Sequence, residues 1–420
     1  MSSPFVKLLH ASGVQLDVPL RGVGKIPRDA LDVVASATLT AWERLVDAAI
    51  THGVDGLLLT GDTFDAAADS LAADVALRQG LERLLEHEIP VFVVPGRLDP
   101  LAAWQQIPAL PENVTLFDSP WDAAVDLTDN GRLIARLMPI SADTDVSPPE
   151  LHRLQAHAKS ARDAGALSVG LMWNAEEAER PAAAKPAGER RFASLNVLCC
   201  GVDVADDELP VTEGVVHRQP APQGMGVDDV GPRGATLLQF DPQRQLTKRF
   251  VALGPVRRER LSIRLEQARH RDELCEQMLA QLEELPATPG EQLRLIRWSF
   301  VGSADARRRL SFDEAAAHEV LETLNGLTDQ PGGLRYLHEP VPLWQDQTVN
   351  AELGELWRDY LEYFDERPPV TQEELRALAE ELRPQQATPS APWERWLALL
   401  DPQAVKQRAR KYARKWFAGA

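Results

Sequence analysis

Two kinds of apolar pattern alternate along the first 255 residues of the chain. Short runs of apolar residues, typical of buried strands, occur at Val6–Leu9, Gly56–Thr60 and Val91–Val94. Between them, Ala41–Ala49 and Leu71–Leu85 carry apolar residues at helical spacing. This order of strand, helix, strand, helix and strand, with short joints, predicts an α/β fold with right-handed crossovers.

Later strand-like runs lack equally clear helices between them. They lie at Leu133–Leu137, Leu167–Met172, Leu195–Cys200, Gly214–His217, Ala235–Phe240 and Lys248–Leu253. A mixed sheet, or two packed sheets with flanking helices, would accommodate this many strands. Glu176–Arg191, rich in Ala, Pro, Glu and Arg, is predicted to be an exposed loop.

The pattern changes after about Arg260. Strand-like and helix-like stretches then alternate at Leu261–Leu265, Asp272–Leu285, Leu293–Val301 and Phe312–Leu324. We therefore predict an α/β domain over residues 1–255 and a small α+β domain over residues 256–345.

Residues 346–420 are predicted to form a helical tail. An apolar stripe at helical spacing runs along Leu353, Leu356, Trp357, Tyr360, Leu361 and Phe364. Pro368 and Pro369 would end that helix, and Thr371 with Glu374 predicts a capping box for the next one.

The amino-acid composition is that of a globular protein without a membrane-spanning segment. Of 420 residues, 44% are hydrophobic and 26% are charged, as in ordinary globular proteins. No apolar stretch is long enough to span a membrane, no signal peptide is visible, and the three cysteines form no disulfide framework. We therefore expect a cytoplasmic protein without a membrane partner.

The net charge of −18 opposes broad binding to nucleic acid. The C-terminal segment, defined as residues 405–420, carries no acidic residue and six basic ones, which leaves −24 on the rest. These candidate nucleic-acid contacts are Lys406, Arg408, Arg410, Lys411, Arg414 and Lys415. Contact with DNA phosphates and a solvated helix face are both open readings of this cluster.

Candidate chemistry follows the first three strands. Gly61-Asp62-Thr63-Phe64-Asp65 comes directly after the second strand, and Gly96-Arg97-Leu98-Asp99 follows the third. His10-Ala11-Ser12-Gly13-Val14-Gln15-Leu16-Asp17 follows the first. Ligands in α/β folds usually bind at the carboxyl ends of such strands.

These segments resemble the calcineurin-like metallophosphoesterases, specifically the DNA-repair exonuclease branch that includes the SbcD subunit. Pro222-Gln223-Gly224 and the strand that begins at Gly231 resemble the same branch. The resemblance implies a four-layer α/β/β/α sandwich, a small capping-like domain, and a tail that binds an SMC-like coiled-coil ATPase. It also implies a homodimer as a candidate state.

The resemblance further implies a centre of two manganese ions, but this sequence keeps only Asp62 of seven expected ligands. The substituted ligand positions are Gly13, Gln15, Arg97, Trp173, Val202 and Val204. The catalytic histidine position holds Leu98. We therefore expect no catalytic residue and no metal cofactor, which argues against enzyme activity.

Arg97 and Asp62 form a candidate charge pair, since a guanidinium beside a carboxylate would replace the charge of a cation. The alternative is an Arg97 side chain that points outward into solvent. Asp17, Asp65, Asp99 and His10 are the other nearby groups, and turn or core roles are favoured for them.

The leading hypothesis is a degenerate, non-catalytic SbcD-like subunit that serves as accessory or scaffold to an SMC-like ATPase and reaches DNA through it. One alternative is an active metal-dependent exonuclease or phosphoesterase with a relocated site. Another is a nucleic-acid-binding module that uses the basic C-terminal segment.

Overall fold

The computed structural model describes residues 6–24, 26–117, 124–140, 148–173, 194–201, 215–328, 334–339 and 343–345, with the single residues 371, 374 and 406. The predicted loop at Glu176–Arg191, and all of the predicted tail except those single residues, lie outside this part of the chain. The predicted capping box is present, because the amide of Thr371 donates to Oε2 of Glu374 at 2.7 Å and the amide of Glu374 donates to Oγ1 of Thr371 at 3.2 Å.

The chain forms two compact units, and their ranges interleave after residue 261. The first comprises Met1–Leu261, Ala280–Arg297 and Leu321–Val341; the second comprises Ser262–Leu279, Trp298–Val320 and Pro342–Ala420. The domain limits placed after residues 255 and 345 stay predictions.

Eleven strands of the first unit precede residue 255 in the described part of the chain. They are β1 (Val6–Ala11), β2 (Gly56–Thr60), β3 (Val91–Val94), β4 (Val114–Leu116), β5 (Val125–Asp129), β6 (Arg132–Pro139), β7 (Leu167–Met172), β8 (Val197–Gly201), β9 (Val215–Gln219), β10 (Gly234–Phe240) and β11 (Leu246–Ala252). The helices of this region are α1 (Arg28–Ala35), α2 (Ala37–His52), α3 (Leu71–Glu86), α4 (Leu101–Gln106) and α5 (Pro148–Asp163).

The remaining described elements follow Pro255. They are β12 (Val256–Arg264), a 3₁₀ turn (Leu265–Gln267), α6 (Arg271–Glu283), β13 (Leu293–Val301), α7 (Ala304–Leu310), α8 (Glu314–Thr328), β14 (Arg335–His338) and β15 (Leu343–Gln345). Within the first unit, β13 pairs in parallel with β14 from Leu293 to Ile296. Within the second unit, β13 pairs in parallel with β15 from Ser299 to Val301.

Two sheets rich in parallel strands make up the part of the first unit that precedes residue 255. One has the order β11-β10-β1-β2-β3-β4 and is parallel from β1 to β4, whereas the other has the order β5-β6-β7-β8-β9 and is parallel from β6 to β9. The predicted mixed α/β class is confirmed.

The packing explains why the strands of the six-stranded sheet are continuous apolar runs. Neighbouring residues of a strand point to opposite faces, so Leu9 packs against the α2 and α3 side while Leu8 packs toward the five-stranded sheet. The other face of the five-stranded sheet meets α5 through Leu154 and Ala158. Both faces of each sheet are therefore covered, and the strand ends remain as sites for polar side chains.

Candidate functional site

The loops after β1, β2 and β3 meet at one edge of the six-stranded sheet. Backbone bonds join the first two loops: the amide of Gly13 donates to the carbonyl of Gly61 at 2.9 Å, and the amide of Gln15 donates to the carbonyl of Asp62 at 3.0 Å. The parallel order of the three strands brings these segments together, since their carboxyl ends share an edge.

Asp62 is held in place by backbone groups. Its backbone is left-handed, with φ of 53°, and its side chain is buried. Oδ1 accepts a hydrogen bond from the amide of Leu98 at 2.7 Å, which ties the second loop to the third. One oxygen of the Asp62 carboxylate is therefore already bonded to the protein backbone.

Asp99 is a fully buried junction between the same two loops. Its Oδ1 accepts from the amides of Asp62 at 2.8 Å and Gly96 at 2.6 Å, while Oδ2 accepts from the amide of Thr63 at 2.9 Å and Nε1 of Trp104 at 3.0 Å. Burial raises the pKa of Asp99 to about 6, against the four donors that lower it. Asp99 thus has the turn-stabilising role that its sequence context favoured.

The indole ring of Trp173, the residue that follows β7, packs against Gly61 and Gly96. A methyl group placed on Gly61 would lie 1.7 Å from Cδ1 of Trp173, and one placed on Gly96 would lie 2.8 Å from Nε1 of Trp173 and 2.5 Å from Oδ1 of Asp62. Only glycine leaves room for the ring at these positions. The indole therefore occupies the space where the loops converge around Asp62.

Three further positions from the sequence prediction, Gly13, Gln15 and Leu98, make loop contacts in the described structure. Gly13 and Gln15 have left-handed backbones and serve the loop contacts described above. Leu98 contributes its amide to Asp62 and an aliphatic side chain. Val202 and Val204 lie outside the described residues.

The structure does not bring Arg97 and Asp62 together as a charge pair. Arg97 is exposed, and no hydrogen bond or ion pair joins it to any residue that the structure describes. Oδ1 of Asp62 accepts instead from the backbone amide of Leu98, the residue next to Arg97 in the same loop. The outward-pointing alternative describes the observed position of Arg97.

Asp17 and Asp65 have local structural roles. Asp17 accepts from the hydroxyl of Ser70, the residue that caps the start of α3. Asp65 accepts from the amide of Ala67 at 2.9 Å in a turn. Neither carboxylate is directed to Asp62 by these bonds.

The described residues around Asp62 do not fit a two-cation centre. Such a centre needs several carboxylate and imidazole donors converging on one space. In the described part of the chain, no group of three or more His, Cys, Asp or Glu side chains is placed to hold a metal ion. The described groups around Asp62 include the indole of Trp173, two glycines and the backbone amide of Leu98.

A pair of buried histidines beneath this edge joins the two sheets. His10 of β1 and His217 of β9 have ring centroids 5.2 Å apart in an edge-to-face arrangement, and Nε2 of His10 lies 2.8 Å from Oγ1 of Thr60. Burial, the facing imidazole and Lys248 lower the pKa of His10, and burial with Lys248 lowers that of His217 to about 4. His10 has the core role favoured by its sequence, whereas nothing in the sequence singled out His217.

This pair predicts acid lability. In the folded chain the pKa of His217 is about 4, below its ordinary value of 6.5. Between these two pH values the imidazole is protonated in the unfolded chain but neutral in the folded chain. The free energy of unfolding therefore decreases as the pH falls from 6.5 toward 4. When the pH is lowered from 7 to 4.5, the free energy of unfolding should decrease in both proteins. The decrease should be roughly 2–3 kcal/mol smaller for His217→Gln than for the wild type. Urea unfolding at both pH values, with His87→Gln as the exposed control, measures this; equal losses in both variants would contradict it.

The basic C-terminal segment cannot be placed by the structure. Of its six cationic residues only Lys406 is described, as one position in a helix. Its proposed contact with nucleic acid stays a prediction. No described helix is both long and apolar enough to cross a membrane.

Comparison with known proteins gives one sequence match. A stretch of 130 residues is 35% identical to an uncharacterized metallophosphoesterase, YhaO, of Bacillus subtilis strain 168. The match covers 31% of this chain and 32% of that protein, about a third of each. No family model matches the chain.

Two solved structures show weak similarity to this chain. A dimetal phosphatase from Danio rerio is 12% identical, with a TM-score of 0.37, and the match covers 57% of this chain and 94% of that one. A protein of Thermus thermophilus is 14% identical, with a TM-score of 0.33, and the match covers 58% and 98% of the two chains.

The relative that this stretch matches carries the name of a metallophosphoesterase, and the chain spans about a third of that relative's length.

Proposed function

We propose that this protein is a non-catalytic, SbcD-like relative of the metallophosphoesterases that acts as an accessory or scaffold subunit for an SMC-like ATPase. The observation that carries the proposal is the position of Trp173. Its indole lies against Gly61 and Gly96, beside the carboxylate of Asp62.

Two-metal phosphoesterases depend on cations that activate water and neutralise charge on the phosphoryl oxygens. Asp62 is the single retained carboxylate of the family's ligand set, and its Oδ1 is bonded to the amide of Leu98. The neutral side chains of Gln15, Leu98 and Trp173 do not replace the missing anionic and imidazole donors. These contacts support a fold that is retained while its hydrolytic centre is lost.

Loss of the centre leaves binding as the role for the fold. The resemblance to the exonuclease branch supports an SMC-like ATPase as partner, bound through the helices that follow Trp344. The reciprocal bonds between Thr371 and Glu374 start one such helix. Co-purification with a coiled-coil ATPase, lost on deletion of residues 346–420, is the corresponding test of this partnership.

The purified chain is expected to show no manganese-dependent cleavage of linear duplex or single-stranded DNA. The measurement is a nuclease assay with added manganese, together with the metal content of the protein after soaking and removal of free ions. Asp62→Ala and Asp65→Ala are the variants to compare, because Asp65 is a turn carboxylate in the same loop.

Each outcome of the assay has a distinct meaning. Cleavage that is lost in Asp62→Ala but kept in Asp65→Ala would overturn the proposal in favour of an active centre. Cleavage that persists equally in both variants would identify a contaminating nuclease. Stoichiometric manganese in the wild type, absent from Asp62→Ala, would also contradict the proposal.

A further inference from the structure

A groove opens at the edge of the sheets opposite to Asp62. It is formed by residues that precede β2, β3 and β4 and by the β5–β6 hairpin, all within the first unit, and has a volume of about 570 Å³. Its apolar lining includes Leu85, which is half-buried, and Phe92 and Ile134, which are almost fully buried. A groove of this size accommodates a few side chains of another segment.

The groove is lined by five carboxylates and by no lysine, arginine or histidine. The acidic residues are Asp55, Glu88, Glu112, Asp126 and Asp129. Asp55, Glu88 and Glu112 come from the connections before β2, β3 and β4, and Asp126 and Asp129 from strand β5. The negative charge therefore surrounds the groove on several sides.

Most of this negative charge has no cationic partner. Arg136 neutralises Asp126, with Nε at 2.6 Å from Oδ1. Asp55 accepts from the backbone amide of Lys7 at 2.7 Å. Among the residues that the structure describes, Glu88, Glu112 and Asp129 form no ion pair.

Burial raises the pKa of Asp55, and the charge of Asp129 adds to this rise against the opposing effects of Lys7. The negative charge of Asp129 therefore acts on the carboxyl group of Asp55 inside the groove. A cationic side chain that entered it would relieve this repulsion, while an aromatic or aliphatic side chain beside it would cover the apolar surface.

The C-terminal segment has the complementary chemistry. Its six basic residues are accompanied by no acidic one, whereas the remaining 404 residues carry −24. At helical spacing, Val405, Ala409, Tyr412 and Trp416 fall on one side, with the basic residues around the rest. The positive charge of this segment matches the negative charge that lines the groove.

We propose that this groove binds the C-terminal segment, residues 405–420, of a second copy of the chain. Reciprocal exchange of two such segments across a two-fold axis makes the contact twice in one closed dimer. The interface is electrostatic at its rim, so its strength falls as salt rises.

The test uses full-length protein and charge reversal. The groove variant carries Glu88→Lys and Glu112→Lys; the segment variant carries Arg410→Glu, Lys411→Glu and Arg414→Glu. The control variant carries Glu43→Lys and Glu82→Lys, exposed acidic residues of α2 and α3 outside the groove. Sedimentation velocity gives the dimer dissociation constant of each, and circular dichroism checks that each is folded.

The wild type and the control variant are expected to dimerise at low salt and to dissociate as salt increases. Each reversed variant alone should have a dissociation constant at least tenfold higher, on the order of one unit of log K. An equimolar mixture of the two reversed variants should regain a hetero-pair, because the reversed charges are complementary only between different copies.

Three results would overturn the proposal. They are a wild type that is monomeric at every salt concentration, a dimer that survives both reversals, and a mixture that does not recover association. Crosslinking of the segment to the groove within a single chain would also overturn it, since the occupant would then not be a second copy.

Discussion

Asp99→Asn is expected to destabilise the first unit by about 3–5 kcal/mol at pH 7.5. The carboxylate accepts four hydrogen bonds, two on each oxygen, from three backbone amides and the indole of Trp104. An asparagine replaces one oxygen with an NH₂ group, which turns two acceptor contacts into facing donors. Buried donors without acceptors account for the size of the loss.

Urea unfolding followed by circular dichroism measures this effect. Asp65→Asn is the matched control, because Asp65 accepts a single amide bond at the surface side of the same loop and an amide oxygen can replace it. The control should change the unfolding free energy by less than about 1 kcal/mol. Equal effects of the two substitutions would show that Asp99 does not join the loops in solution.

The strands of the six-stranded sheet could be predicted because both of its faces are buried. Leu8 and Leu9 enter different apolar clusters, so consecutive residues of β1 are all apolar and the run is visible in the sequence. Parallel strands covered on both faces regularly give this signal.

Helix α5 shows why other elements were not predicted. Pro148–Asp163 buries Leu154, Ala158 and Ala161, and two of these three are alanines that contribute little to an apolar pattern. Its other positions are largely polar or charged. The helix is stabilised by packing on the five-stranded sheet, which the local sequence does not report.

The site was predictable in its chemistry but not in its contacts. Strand ends and motif spacing indicated which loops meet, whereas the loss of metal ligands stays a prediction. In place of the predicted pair with Arg97, Oδ1 of Asp62 accepts from the backbone amide of Leu98, and residue types alone do not reveal backbone donors. The four donors to Asp99 and the contact of Trp173 with Gly61 also depend on long-range geometry.

Gly61→Ala is expected to cost about 3–4 kcal/mol of unfolding free energy, from two separable causes. Gly61 has a φ of 84°, a conformation that strains any residue with a Cβ atom. The added methyl group would also lie 1.7 Å from Cδ1 of Trp173, so the indole would have to move. Gly165 has a φ of 76° with no atom within 4 Å of such a methyl group, so Gly165→Ala measures the strain alone, about 1–2 kcal/mol.

A double-mutant cycle separates the two causes and tests the position of Trp173. In a Trp173→Ala background the contact is gone, and Gly61→Ala should then cost only the strain of about 1–2 kcal/mol. The coupling free energy between the two substitutions, about 1–3 kcal/mol, measures the steric clash between the indole of Trp173 and the methyl group added at Gly61. Urea unfolding of the four proteins of the cycle gives this value. Additive effects would place the indole away from Gly61, reopen the space around Asp62, and remove the observation on which the non-catalytic role depends.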